Sequence, residues 1–181
     1  AWQLDVITDH YPHHIKYPLD NTYGMLLYSR LPLENGKIEY LIKKNVPSIH
    51  ADVRAENFTF KLACLHPEPP APEEAQTSLP RDRELVVMAR KIKETPGPWV
   101  VIGDFNDVAW SDTSYKFRSI SKLKDPRKGR GFYNTFNAKH PIMRWALDHI
   151  FLSHHFKVIE MRRLPYIGSD HFPIYLKCAV E

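Results

Sequence analysis

Two cysteines are all that this chain of 181 residues contains, and both, Cys64 and Cys178, fall in alternating apolar runs that read as strands. Two thiols are too few for a disulfide framework, and their setting predicts that both are buried and free. Long hydrophobic runs are missing too. None approaches the roughly 18 apolar residues a membrane span requires, and the opening AWQLDVITDH lacks the basic start and apolar stretch of a secretory signal. No internal repeat or low-complexity tract is present. Nor is there a large excess of one charge: 25 basic residues face 21 acidic ones, leaving +4, with a pI near 9.0. That balance leans towards anionic partners without reaching the excess of a dedicated nucleic-acid coat, and it is compatible with a phosphate-bearing substrate.

What is present suits one domain with a sizeable core, at 43% hydrophobic residues. Strand patterns cover residues 23–29, 37–43, 48–54 and 58–66, with no strand signal before residue 23. The turns ENG at 34–36 and RAEN at 54–57 predict an antiparallel meander. The run HPEPPAPEEAQTSLP is too rich in proline for regular structure and reads as a long surface loop. A helix over 81–94 follows, with Leu85, Met88 and Ile92 on one face and Arg83, Arg90 and Lys93 away from it; TPGP ends it. Residues 99–103 form a wholly apolar strand, which implies cover on both faces and a central place in a sheet. Further strands are expected at 146–152, 158–162 and 174–179. Strands first as a meander and later mixed with helices predict an α/β or α+β sandwich rather than a doubly wound parallel sheet.

Three short segments carry chemistry. In VVIGDFND, a period of two places Asp104 and Asn106 on one side of the strand end and Phe105 on the other, where it can anchor in the core. The carboxylate and carboxamide can serve a metal or an attacking water, although the same residues also suit an Asx-rich turn. Asp107 reads as a turn residue. In RWALDHIFLS, Asp148 shares a strand face with Ile150 and Leu152 and needs a partner, because an unpaired buried charge is costly; a salt bridge is the alternative reading. His149, on the other face, reads as a satisfied strand histidine. In GSDHFPIYL, a turn delivers Asp170 and His171 to the mouth of a strand, and a nearby carboxylate would raise the histidine pKa. The pair His154 and His155 lies past a strand end without other ligands and reads as solvated loop.

GDFN, LDHIF and SDHFP, in that order and spacing, resemble the ordered signature of the endonuclease/exonuclease/phosphatase superfamily. YGMLLYSRLPL resembles the family strand before its SR.PL turn, and KLACLHPEPP the strand ending in a histidine-proline loop; the likeness spans about residues 2–176. The resemblance implies a four-layer α/β (α+β) sandwich of the deoxyribonuclease-like type, two packed mixed β-sheets flanked by helices, and a metal-dependent hydrolase of phosphodiester or phosphomonoester bonds. It assigns Asp104 and Asn106 to positioning the nucleophilic water and scissile phosphate. Asp170 matches a carboxylate of the metal region, and His171 a histidine that contacts phosphate and transfers protons. Asp148 matches the carboxylate that orients His171, and His66 a candidate acid for the leaving oxygen. The implied metal set is Asp104, Asn106, Asp170 and His171, and oxygen-rich ligands favour Mg2+ or Mn2+.

One departure stands out. The family's first strand, with an asparagine, and its second, ending in the glutamate that is its principal magnesium ligand, have no counterpart here. The chain therefore resembles the C-terminal portion of such a domain, spanning 1–181, and the expectation is that alone it is weakly active or inactive. From Lys116 to Arg130 seven basic residues face a single acid, Asp125. This stretch reads either as substrate rim or as a solvated basic face. Arg30, Trp110, Arg127, Lys128 and Arg130 are the candidate substrate-binding residues, with nucleic acid the leading partner. Lipid or inositol phosphates, or a non-catalytic binding module on the same fold, are the alternatives.

Overall fold

The computed structural model describes residues 7–71 and 75–181. The expectations resting on Trp2 and on the middle of the proline-rich run lie outside the described residues. In order, the elements are β1 (His13–Tyr17), β2 (Met25–Ser29), β3 (Leu33–Glu39), β4 (Ser48–Ala55), β5 (Phe58–Leu65), α1 (Leu79–Glu94), β6 (Trp99–Asp104), α2 (Asp112–Ser121), β7 (Asp148–Leu152), β8 (Phe156–Arg163) and β9 (Ile174–Val180). A five-stranded sheet has the order β3-β4-β5-β6-β7. Within it only β5 and β6 run parallel, joined by the crossover helix α1 that such a pair requires. β1 with β2, and β8 with β9, form two antiparallel ribbons.

The apolar run of β6 does what its composition implies. Val101 faces a core with Leu85, Met88 and Ile92 of α1 and Phe117 of α2. Val100 and Ile102 face a second core with Ile15, Met25 and Leu27 of the first ribbon. Phe156 of β8 sits edge-on to Phe58 and Phe60 of β5, at 5.6 and 5.4 Å, which ties the second ribbon to the sheet. The arrangement is a mixed α/β sandwich, helices on one face of the sheet and strands on the other.

Several sequence expectations shift. The β1 strand was not foreseen: its alternation holds, but the inward positions are His13, Ile15 and Tyr17, of which only one is aliphatic. ENG is no turn; it forms a bulge within β3, where the register with β4 shifts between Glu34 and Lys37 and Asn35 takes φ 51°. RAEN does turn the chain between β4 and β5. Cys64 is buried as expected, but Cys178 is exposed, because β9 belongs to a two-stranded ribbon. The proline-rich run does not begin as surface loop, since Pro67 and Glu68 are buried, with Glu68 paired to Lys43. Among the described residues no helix is long and apolar enough to cross a membrane.

At the end of β6, Gly103 adopts φ +144° beside its β5 partner Leu65, and a Cβ there would stand 1.9 Å from the Leu65 carbonyl oxygen. Only glycine lets the parallel strands stay paired up to the residue before Asp104. Gly103→Ala should therefore cost about 3 kcal/mol or more in urea unfolding, through both the disallowed φ and the backbone clash.

Candidate active site

The site lies at the ends of β5, β6 and β7 and is closed from the side by the loop entering β9. Asp104 on β6 and Asp148 on β7 are direct register partners, which sets two carboxylates opposite each other. His171 relieves that opposition. Its Nδ1 bonds Asp148 Oδ2 at 2.7 Å, while its Nε2 stands 3.6 Å from Asp104 Oδ2. His66, at the end of β5, approaches the same oxygen with Nε2 at 3.9 Å and packs against the Tyr23 ring at 5.5 Å.

The two sides of the cluster are polarised differently. Burial, then the charge of Asp148, pushes the Asp104 pKa up to about 6, against the opposing effects of the Asn106 N–H and His171. For His171, burial alone would lower the pKa. The hydrogen bond and charge of Asp148, followed by Asp104 and Asp170, outweigh burial and hold it above its ordinary value. His171 is thus set between two carboxylates that both favour its protonated form, Asp148 on Nδ1 and Asp104 facing Nε2.

Asn106 is fixed from three sides. It adopts φ 49°, which asparagine tolerates better than most residues. Its N–H donates to Asp104 Oδ1 at 2.8 Å, and its carbonyl accepts from the Arg81 guanidinium of α1 at 2.5 Å. Its side-chain Nδ2 donates to the Pro67 carbonyl at 2.9 Å. Because a carbonyl only accepts, this bond assigns the amide nitrogen to the Pro67 side and leaves the amide oxygen without a hydrogen bond among the described residues.

Beneath the loop, Phe105 is fully buried and stacks on His149 at 4.8 Å and 16°, with Phe117 and Phe151 each at 5.5 Å. His149 Nε2 meets the Asp107 carbonyl oxygen at 2.8 Å, so this nitrogen carries the proton; Nδ1 then accepts from Arg127 at 2.8 Å. Arg127 is 5% exposed and its guanidinium is taken up by Asp125, His149 and the Asp148 carbonyl. It is not a rim residue: the expected phosphate contact is corrected to a buried brace. Asp107 also gains a role. Its carboxylate accepts from the hydroxyls of Ser111 and Ser114 and faces Arg81 at 3.3 Å, which fixes the start of α2 against α1.

Of the expected residues, the structure brings together His66, Asp104, Asn106, Asp148 and His171. Asp170 is exposed; its carboxylate touches Ser169 at 3.3 Å and acts on the cluster only through its charge. Arg30 follows the end of β2 and lies over the Tyr11 ring at 5.3 Å. Trp110, Lys128 and Arg130 are exposed and line one groove, in which Trp110 meets Phe132 edge-on at 6.0 Å. His154 and His155 stack at 3.9 Å beyond β7, away from the cluster. Two contributors were missed. Thr135 receives the Asp148 N–H on its hydroxyl at 3.3 Å and the Phe172 N–H on its carbonyl at 3.0 Å. The Phe136 ring lies 5.0 Å from that of His171. Both sit in an irregular segment with no periodic pattern, and only the fold makes their role visible.

A sequence profile of the Endonuclease/Exonuclease/phosphatase family matches residues 1–171. The chain belongs to that family. The family unites hydrolases of phosphate esters, and no curated protein matches the sequence. Among solved structures, the fold resembles D. rerio TDP2 complexed with single-strand DNA product, with a TM-score of 0.77 and 19% identity over 99% of this chain and 81% of that one. It also resembles the human Nocturnin catalytic domain with bound sulfate anion, with a TM-score of 0.74 and 18% identity over 100% and 76%. The Bacteroides thetaiotaomicron mannosyl-6-phosphatase Bt3783 gives 0.70 and 18% over 98% and 81%.

Two outcomes follow from this family member's geometry. Asp148→Asn should lower the His171 pKa in an NMR titration of the imidazole, because the largest opposing influence on burial is removed. Burial with support from Arg127 depresses the His149 pKa from 6.5 to about 3. Its neutral form thus contributes stability that is complete above about pH 6.5 and is lost as pH falls towards 3. His149→Gln keeps one donor and one acceptor but cannot titrate. Its unfolding free energy, followed by urea titration between pH 6 and 4, should fall less steeply than the parent's by about 1.4 kcal/mol per pH unit.

Proposed function

We propose that the chain is a hydrolase of phosphate esters that works with a divalent cation, weakly as this chain alone, and that nucleic-acid phosphodiesters are its leading substrate class. The observation that carries the reading is His171 bonded to Asp148 through one nitrogen and turned towards Asp104 with the other. A structural histidine has no need of two opposed carboxylates; a phosphate-binding, proton-carrying one does.

Among the described residues no group of three or more His, Cys, Asp or Glu side chains encloses a metal. The donors that are present nonetheless suit a hard ion. Asp104 is a carboxylate whose charge is opposed by burial and by Asp148, and the unbonded Asn106 oxygen lies on the same loop. Mg2+ commonly takes only one or two protein oxygens and completes its octahedron with water and substrate phosphate. Asp104 and Asn106 would hold such an ion, which supplies charge relief for the phosphoryl oxygens when bound. His171, whose protonated form its carboxylate neighbours favour, serves in this reading as a hydrogen-bond donor to phosphate rather than a metal ligand.

The residues then divide the work. Asp104 and Asn106 orient the attacking water and the phosphate. His171 presents Nε2–H to a phosphoryl oxygen, and Asp148 fixes the ring and keeps the proton on it. His66, across Asp104 from His171, is placed to protonate the leaving oxygen. The preference for nucleic acid is supported by the exposed Lys128, Arg130 and Trp110 beside the loop after β6, and by the likeness of the fold to TDP2 with its DNA product.

Asp104→Asn and His171→Asn should each lower divalent-dependent hydrolysis by about a hundredfold or more, and Asp148→Asn by less. Release of nitrophenol from bis-p-nitrophenyl phosphate and cleavage of an oligonucleotide, with Mg2+ or Mn2+ and with EDTA, measure this. Equal rates in parent and Asp104→Asn would sink the reading in favour of a binding module. Turnover of inositol phosphates in preference to oligonucleotides would move it to the other substrate class.

A further inference from the structure

Beyond the active site, a concentration of unpaired positive charge surrounds a cavity of about 700 Å³ between α2, the loop at 122–131 and β8. Arg118, Lys122, Lys124, Lys128, Arg130 and Lys157 line it. Among the described residues, the ammonium groups of the four lysines have no ion-pair partner. Two acids share the lining, and one of them, Asp125, is neutralised by Arg127; Glu181 is the other. This is the reverse of a solvated face of mixed sign.

Its position sets it apart from the catalytic cluster. Lys124 pairs with Leu152 through backbone bonds of 2.7 and 3.0 Å, and Leu152 is the register partner of Val100. Four residues of β6 therefore separate this level from Asp104, about 13 Å at the usual strand rise. Yet the cavity is not isolated. A neighbouring groove of about 420 Å³ shares Arg118, Lys128 and Arg130 with it and reaches Trp110 and Phe132, beside the loop after β6. These two rings are 57% and 72% exposed. Inside the cavity the exposed Tyr115 ring lies 5.9 Å from the Arg118 guanidinium.

We propose that this cavity and groove form one track for the backbone of a single-stranded nucleic acid, running from the loop after β6 to the opposite end of the sheet. Cations in a concave path with exposed aromatic rings along it are the requirements for holding a strand without reading its sequence. A bilayer would need the cations on a convex face beside projecting apolar side chains, whereas these line a hollow. A compact anion would use the cavity but not the aromatic groove. The proposal rests on the nucleic-acid reading of the active site for its ligand class, but binding is measurable without turnover.

The probe is a fluorescein-labelled oligothymidylate about 20 nucleotides long, followed by anisotropy in EDTA over a series of salt concentrations. The combined variant Lys122→Gln, Lys124→Gln, Lys157→Gln alters exposed side chains only, so its circular dichroism should match the parent's. It should bind at least about tenfold more weakly, with a salt slope smaller by about 2, as expected for three lost phosphate contacts on a single strand. Trp110→Ala should weaken binding about fivefold to a hundredfold, while hydrolysis of bis-p-nitrophenyl phosphate by the lysine variant stays at the parent level. Unchanged affinity and slope in the lysine variant would overturn the proposal, as would competition by phosphatidylserine vesicles or inositol hexakisphosphate equal to that of unlabelled oligonucleotide. Lysine-dependent binding without any hydrolysis would support the track and count only against the activity.

Discussion

Two like charges set opposite each other on neighbouring strands are the constraint around which this molecule is arranged. The register of β6 with β7 makes Asp104 and Asp148 cross-strand partners, a placement that by itself weakens a sheet. A fold tolerates it only if something positive stands between them. His171 does so, and it can because the segment around Thr135 bonds both β7 at Asp148 and the entry to β9 at Phe172. The irregular segment between α2 and β7 thus ties together the two strand mouths that carry Asp148 and His171.

The layer beneath makes that placement rigid. Phe105 is enclosed by aromatic rings, and His149 beside it is locked by a carbonyl on one nitrogen and a guanidinium on the other. Burying an arginine, an aspartate and a histidine together carries a large desolvation cost, offset because nearly every donor in the set finds an acceptor. What is gained is a loop from 104 to 107 whose backbone is pinned from below by His149 and from the side by Arg81, so that the polar groups facing outward need little reorganisation.

Much of this was legible in the sequence because it rests on short-range patterns. The apolar run of β6, the stripe of Leu85, Met88 and Ile92, and the polar groups at strand mouths each report a local periodicity that the fold obeys. The readings that failed depended on something non-local. Arg127 looks like its exposed neighbours Lys128 and Arg130 until Asp125 and His149 turn it inward. His13 and Tyr17 occupy inward strand positions that a count of aliphatic residues passes over. Cys178 alternates correctly, but whether its face is covered depends on what packs over the ribbon. Asp107, beside Asp104 and Asn106, became a helix brace because the hydroxyls of Ser111 and Ser114 return to it four and seven residues later. No single-residue property separates it from Asp104.

The histidines that flank Asp104 come from positions more than a hundred residues apart in the chain, one at the end of β5 and the other at the entry to β9. Contacts of such separation form late, since the loop between them must close before they gain anything. A growing chain carries His66, Asp104 and Asn106 long before residue 171 has been added. Until then, no imidazole bridges the two carboxylates. Synthesis itself therefore acts as a timer, and the candidate site is assembled only once the whole of the five-stranded sheet that supports it has been made.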